Sequence, residues 1–204
     1  MQIRSLSIEG TWVLEPTIHG DHRGSFAEWF KSSRFREVVG HDFTLAQANS
    51  SVSARGVLRG IHFADVPPGQ GKHVTCASGS VLDVVVDIRV GSPTFGRWES
   101  VVLDASSRRA VYISEGLGHG FVALEDGSTV MYLCTTEYTP AAEHEVHPLD
   151  PVLGIDWGLD GEQPQLSAKD AAAPGLRDAA ATGLLPVYEE CVRWRSSASS
   201  NRSR

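Results

Sequence analysis

Short apolar segments recur along residues 1 to 140, and turn-forming residues separate them at close intervals. The strongest strand pattern covers Val81 to Ile88, where the even positions are apolar and the odd positions include Asp83 and Asp87. Such alternation is typical of a strand with one face in the core. The turn signals are His19-Gly20-Asp21, Pro67-Pro68-Gly69, Ala77-Ser78-Gly79, Gly91-Ser92-Pro93 and Glu125-Asp126-Gly127. Strands at this spacing, without long helical patterns between them, predict an all-β sandwich or barrel.

Few helices are expected, and they are short. Apolar residues at helical spacing predict one helix from Ser32 to Val39 and a second between Ala179 and Leu185. Residues 151–174 are rich in Pro, Gly and Asp and predict an ordered loop that crosses a sheet. We expect a single domain over residues 1–190. The Ser- and Arg-rich residues 191–204 are predicted to form a disordered tail.

The composition excludes several classes of protein. Hydrophobic residues make up 41% of the 204 residues and charged residues 21%, as in a globular domain. The net charge of −7 argues against nucleic acid or an anionic membrane as a partner, because both attract basic surfaces. The three cysteines form no CxxC pair, and no apolar run is long enough to span a membrane. We therefore expect a cytoplasmic protein with reduced cysteines.

The segment Val57 to Phe63 places an arginine and a histidine in a short, strand-like apolar run. In a regular strand Arg59 and His62 point to opposite faces, because they are three residues apart. Both can serve one site only if the strand is irregular, and Gly60 is where a bulge is least costly. A buried cation needs a partner or an anionic ligand, so this segment is a candidate site.

Other polar residues can converge with this segment across a barrel interior. Lys72 and Tyr132 each lie in a separate apolar segment. Structural interpretations are also open: His62 can be a hydrogen-bonded rim residue, Lys72 can extend to solvent, and Tyr132 can pack at a sheet edge. Asp170 can cap a short helix. Spacing alone leaves these alternatives open.

A metal site is not expected. Metal-binding barrels of this kind normally carry two histidines one residue apart, but here Ala64 occupies the second position after His62. A set of His62, His73 and His119 is conceivable, yet His73 faces away from Lys72 in a regular strand.

Nine segments, taken together and in order, identify a resemblance to a known family. They are Arg23-Gly24-Ser25-Phe26, Gln47-Ala48-Asn49, Val57-Leu58-Arg59-Gly60-Ile61-His62-Phe63, Gly71-Lys72, Val84-Val85-Val86-Asp87-Ile88-Arg89, Ser92-Pro93-Thr94-Phe95-Gly96, Glu115-Gly116-Leu117-Gly118-His119-Gly120-Phe121, Tyr132 and Leu166-Ser167-Ala168-Lys169-Asp170-Ala171-Ala172-Ala173-Pro174. From about Ile3 to Leu185 the chain resembles the dTDP-4-dehydrorhamnose 3,5-epimerase family. The resemblance implies a cupin-type β-barrel or jelly roll.

The resemblance also implies an activity and four catalytic residues. The family inverts C3 and C5 of dTDP-4-dehydro-6-deoxyglucose to give dTDP-4-dehydro-L-rhamnose, without metal or organic cofactor. By this resemblance, His62 matches the position of the family's general base, and Asp170 matches the carboxylate that orients it. Lys72 would stabilise the enolate oxygen, and Tyr132 would return a proton from the opposite face.

Further positions match the family's contacts with the nucleotide and sugar. These are Arg23, Phe26, Glu28, Gln47, Asn49, Arg59, His119 and Tyr138. The family exchanges its N-terminal strand within a homodimer, so Arg23, Phe26 and Glu28 would serve the partner subunit's site. The alternatives are a monofunctional 3- or 5-epimerase of an antibiotic deoxysugar pathway, a metal-dependent cupin, and an inactive sugar-nucleotide binding module.

Overall fold

The computed structural model describes residues 1–201, and side chains up to residue 197. Two antiparallel sheets face each other, as the all-β prediction requires. The strands are β1 (Gln2–Ser5), β2 (Thr11–Glu15), β3 (Ile18–Asp21), β4 (Gly24–Ala27), β5 (Gln47–Ser53), β6 (Leu58–Ala64), β7 (Lys72–Ser78), β8 (Ser80–Val86), β9 (Trp98–Asp104), β10 (Ala110–Ile113), β11 (Gly118–Ala123), β12 (Ser128–Cys134) and β13 (Glu143–Glu145). One sheet has the order β1-β2-β10-β7-β12-β5, and the other has the order β13-β6-β11-β8-β9.

Strand β8 is buried on both faces. Val81 and Val85 belong to the core between the two sheets. Val84 and Val86 pack on the other side of the sheet against residues that follow β13 in the chain, such as Trp157. The predicted alternation is present, but the odd positions are buried as well, because they face the barrel interior.

A separate hairpin projects from the two large sheets. It consists of β3 and β4, which pair only with each other. Its turn lies at His22 and Arg23, so the turn predicted at residues 19–21 is wrong: those residues belong to β3. Phe26 on this hairpin is 69% exposed.

The helices agree in part with the predictions. Helix α1 (Ser32–Val39) confirms the first prediction. Helix α2 (Ala168–Ala171) interrupts the long loop, whose apolar residues pack on the sheet as expected. Helix α3 (Leu176–Ala181) begins earlier than predicted, because Leu176 and Ala179 are both buried. A short 3-10 helix covers Pro140–Ala142.

Residues 191–201 differ from the predicted disordered tail. They belong to helix α4 (Tyr188–Asn201). Cys191 is fully buried, and Arg195 forms an ion pair with Glu9 at 2.9 Å. These contacts with the barrel stabilise a helix whose sequence alone carries few apolar residues. Residues 202–204 of the predicted tail lie outside the described residues. Within residues 1–201, no helix is long and apolar enough to cross a membrane.

Candidate active site

A bulge in β6 brings two predicted site residues to one side of the sheet. His62 pairs with His119 on β11, and Arg59 pairs with Phe121. On β6 two residues lie between Arg59 and His62, whereas on β11 only Gly120 lies between their partners. The extra residue reverses the alternation, so Arg59 and His62 both line a cavity of about 160 Å³. The irregularity predicted at Gly60 is confirmed.

The bulge depends on glycine in both strands. Gly60 has a φ of +132°, and a Cβ atom built on it lies 2.5 Å from the Gly120 Cα. A Cβ atom on Gly120 lies 2.9 Å from the Arg59 carbonyl oxygen. Any larger residue at either position would therefore separate the two strands.

The inner cavity collects side chains from both sheets. Its lining residues are Ser51, Arg59, His62, Lys72, His119, Phe121 and Tyr132. Lys72 and Tyr132 thus converge across the barrel, as predicted. Lys72 is only 9% exposed, and its ammonium forms no salt bridge with any described residue. A buried cation in this state favours an anionic ligand.

His62 and Asp170 form a close pair. The ring Nε2 of His62 lies 2.7 Å from Asp170 Oδ1. Burial by itself raises the pKa of Asp170, but hydrogen bonds and the charge of the His62 ring outweigh it and lower the pKa. Asp170 is therefore ionised and accepts the hydrogen of Nε2. The lone pair of the imidazole is then on Nδ1, which makes no hydrogen bond to a described residue.

A second histidine–carboxylate pair lies in the same cavity wall. His119 Nε2 is 2.8 Å from Asp83 Oδ2, and both side chains are buried. The strand pattern predicts Asp83 at an odd position but does not predict its pairing with His119. The two residues lie on strands that are distant in sequence, so residue spacing does not reveal the pair.

The environment of Tyr132 keeps its hydroxyl protonated. Burial raises the pKa of Tyr132, and the neighbouring Cys134 and Glu143 raise it further, while Arg59 opposes them. The phenol is therefore a proton donor at neutral pH.

A larger cleft of about 420 Å³ lies outside the inner cavity. Arg59 and His62 line both, so the two spaces meet at these residues. Tyr138 lies in the outer cleft, where Lys169 forms an ion pair with Glu145. Five residues that line this cleft are not predicted as site residues from the sequence: Glu143, Glu145, Gln165, Ser167 and Lys169.

Other predicted binding residues lie outside both cavities. Gln47 and Asn49 are partly buried on β5 and are joined by a 2.8 Å hydrogen bond. Arg23 and Phe26 lie on the exposed hairpin, and Glu28 follows it. Arg23 pairs with Asp21 of the same hairpin at 2.6 Å. Within one chain the structure does not bring these three residues to His62.

His73 lies on the opposite face of β7 from Lys72. Its ring is fully buried and packs against the rings of Trp29 and Phe30. The described residues therefore do not bring His73 together with His62, and they contain no cluster of three metal-ligating side chains.

The fold and the site define an acid–base enzyme on an antiparallel β-barrel, with a histidine–carboxylate pair, an ammonium and a phenol around one cavity. The family described as dTDP-4-dehydrorhamnose 3,5-epimerase matches residues 5–178. This chain belongs to that family and is an isomerase.

Individual relatives are similar over nearly the whole chain. The dTDP-4-dehydrorhamnose 3,5-epimerase of Mycobacterium tuberculosis is 57% identical over 195 residues, which cover 95% of this chain and 96% of the relative. The solved structure of the rmlC epimerase of Mycobacterium tuberculosis has a TM-score of 0.95 at 56% identity, covering 97% of this chain and all of the other. ChmJ, a 3'-monoepimerase from Streptomyces bikiniensis in complex with dTDP-quinovose, has a TM-score of 0.91 at 52% identity, covering 98% and 99%. The cupin-type fold is confirmed.

Proposed function

We propose that this chain inverts C3 and C5 of a dTDP-4-keto-6-deoxyhexose, converting dTDP-4-dehydro-6-deoxyglucose to dTDP-4-dehydro-L-rhamnose. Each inversion removes a proton from a carbon beside the C4 ketone and returns one from the opposite face. The observation that carries the proposal is the His62–Asp170 pair at 2.7 Å, beside a cavity that also holds an ammonium and a phenol. Side chains can supply proton transfer and charge stabilisation, so the proposed chemistry uses no metal or organic cofactor.

In this proposal His62 is the general base. Its Nδ1 lone pair takes the proton from carbon, and the C–H electron pair moves into an enolate with its charge on the C4 oxygen. Asp170 holds Nε2–H, fixes the tautomer and stabilises the imidazolium that forms. A base of this kind contributes roughly 10²- to 10⁴-fold to the rate.

Lys72 is the proposed partner of the enolate oxygen. Its ammonium is buried beside the cavity and lacks a carboxylate partner among the described residues. Negative charge that develops on the C4 oxygen supplies that partner only as the reaction proceeds. Interactions that strengthen in this way lower the barrier most in a site that excludes water.

Tyr132 is the proposed acid. The phenol stays protonated because burial raises its pKa. It can therefore donate its proton to the enolate carbon from the face opposite His62, and inversion requires a donor on that face.

The nucleotide is proposed to occupy the outer cleft. Arg59 stands between the two cavities, where a guanidinium can bind a diphosphate with two hydrogen bonds. Tyr138 offers a ring to the thymine, and its backbone N–H donates to Gln47 Oε1 at 2.7 Å. Asn49 and His119 complete the proposed contacts within one chain. The relatives support a thymidine nucleotide, since ChmJ was solved with dTDP-quinovose.

The remaining contacts are proposed to come from a second subunit. The hairpin of β3 and β4 exposes Phe26 and pairs with neither large sheet. An exposed aromatic ring on a projecting hairpin is suited to packing against a partner. We infer a cytoplasmic homodimer that exchanges its N-terminal strands, so that Arg23, Phe26 and Glu28 reach the other site.

Solvent exchange tests the proposed function directly. The purified protein is incubated with dTDP-4-dehydro-6-deoxyglucose in deuterated water, and deuterium is located by NMR. We expect deuterium at both C3 and C5. Exchange at one carbon makes the chain a monofunctional epimerase, and tight binding without exchange makes it a binding module. A rate that depends on added divalent metal supports the metal-dependent alternative.

A further inference from the structure

The carboxylate of Asp170 is held from two sides. His62 contacts Oδ1, and the hydroxyl of Ser167 donates to Oδ2 at 2.9 Å. The same hydroxyl accepts a hydrogen bond from the Asp170 backbone N–H at 3.0 Å. Ser167 is thus the N-cap of α2 and a donor to the carboxylate in the first turn of that helix.

We infer that Ser167 is a positioning residue for the His62–Asp170 pair, an inference that rests on the function proposed above. The hydroxyl decides which carboxylate oxygen faces His62, because it occupies the other oxygen. A carboxylate that is free to rotate would present either oxygen, and the imidazole would lose its fixed orientation.

Ser167 itself is anchored to the barrel. Two residues earlier, the backbone oxygen of Gln165 accepts a hydrogen bond from the Leu58 N–H at 3.0 Å. The backbone N–H of Gln165 donates to the Gly56 oxygen at 2.8 Å. Two residues after Ser167, Lys169 forms an ion pair with Glu145. The segment that carries Ser167 is therefore fixed to β6 and β13, and its hydroxyl has little freedom to follow a rotating carboxylate.

The charge of Asp170 also depends on its donors. The carboxylate is almost fully buried, and burial alone favours its protonated form. Three donors oppose burial: the His62 ring, the Ser167 hydroxyl and the Gly60 backbone N–H. Loss of the hydroxyl concentrates negative charge on the carboxylate and increases the proton affinity of the pair.

Two substitutions separate positioning from helix capping. Ser167→Gly removes the hydroxyl but keeps a residue that caps helices almost as well as Ser. Ser167→Thr keeps both the hydroxyl and the cap. For Ser167→Gly we expect kcat to fall roughly 10- to 100-fold, as for a lost hydrogen bond to a charged group. KM should stay within about twofold, and the acid limb of kcat/KM should move to higher pH.

Ser92→Gly is the matched control. Ser92 donates to the buried carboxylate of Asp87 at 2.6 Å, in a network away from the cavity. Its loss should lower the unfolding temperature and leave the acid limb in place. Ser167→Thr should restore kcat and the acid limb. Wild-type kinetics in Ser167→Gly, or a rise in KM at unchanged kcat, would overturn the inference.

A measurement without substrate keeps this inference separate from the proposed function. The ¹⁵N shifts of the His62 ring report which nitrogen carries the hydrogen. In the unsubstituted protein we expect the Nε2–H form at neutral pH, and in Ser167→Gly a ring that stays doubly protonated to a higher pH, because the carboxylate stabilises the imidazolium more strongly. If the unsubstituted protein fails to exchange deuterium, the proposed function fails while the NMR result still decides the role of Ser167. A His62 ring in Ser167→Gly that titrates as in the unsubstituted protein contradicts that role.

Discussion

Charged residues around the inner cavity are held in three different ways. Asp170 receives three donors, and Asp83 pairs with His119. Lys72 has no carboxylate partner among the described residues, although it is buried. The carboxylates are therefore already stabilised before substrate binds, whereas the ammonium is not. This difference prepares the cavity for negative charge on the substrate rather than on the protein.

The first prediction concerns the base. His62→Ala should lower the rate of deuterium exchange at least 10²-fold, because no other group takes the proton. The fold should persist, since the His62 side chain is 37% exposed. Exchange is measured by NMR and folding by circular dichroism. His144→Ala is the control, because His144 pairs with Asp65 at 2.8 Å outside both cavities. Equal losses in the two variants would contradict a specific role for His62.

Tyr132→Phe should separate proton removal from inversion. The base and the ammonium remain, so deuterium should still enter beside the ketone. Return of a proton from the opposite face should fall roughly 10²- to 10⁴-fold. NMR of the product distinguishes exchange with retention from exchange with inversion. Inversion at the unsubstituted rate would show that another group is the acid.

Several of the residues predicted for the site line the inner cavity, but not all of their partners are predictable from the sequence. His62 and Lys72 were recognisable as cations in apolar strands. The pairing of His119 with Asp83 joins two strands that are distant in sequence, and spacing within one strand cannot reveal it. Ser167 was missed because Asp170 itself was considered as the helix cap; the cap is the residue three positions earlier.

At the level of elements, the bulge in β6 determines the site. Its existence could be predicted, because Arg59 and His62 are an odd number of residues apart. Its cross-strand partner could not, since Gly120 becomes relevant only once β11 pairs with β6. The same limit explains α4: Cys191 and Arg195 are buried or paired against residues far away in sequence. A local pattern of serine and arginine does not contain that information.

Gly120→Ala tests the bulge. The added methyl group would lie 2.8 Å from Ile61 Cδ1 and 2.9 Å from the Arg59 oxygen. We expect the free energy of unfolding to fall by about 1–3 kcal/mol and the exchange rate to fall with it, because β6 must move. Gly20→Ala is the control: its methyl group would meet only the Gly24 oxygen, at 3.8 Å. Urea unfolding measures the stability of both variants. Equal stability of Gly120→Ala and Gly20→Ala would contradict the close contact between the two strands.

For the whole molecule, His73 links stability to pH. Burial lowers its pKa from 6.5 to about 4. The unfolded chain binds this proton near pH 6.5 and the folded chain does not, so stability is lost as pH falls from about 6.5 towards 4. Between pH 7 and pH 5 the loss amounts to about 2 kcal/mol. Urea unfolding at both pH values should show that His73→Leu has a smaller loss than the unsubstituted protein. Equal losses would contradict this assignment.

The exchange of hairpins between subunits can be tested by complementation. Arg23→Ala removes the contact that the hairpin is proposed to carry to the other subunit, and His62→Ala removes the proposed base from a chain's own barrel. Each variant alone should be nearly inactive.

If the two are unfolded together and refolded, a mixed dimer has one site with an intact His62 and an intact hairpin from its partner. Roughly a quarter of the activity should return, because half of the dimers are mixed and each has one complete site. If the hairpin served its own barrel, no mixed dimer would contain a complete site and no activity would return. Light scattering on the mixture checks that dimers form. A stable, active monomer would also contradict the exchange of hairpins.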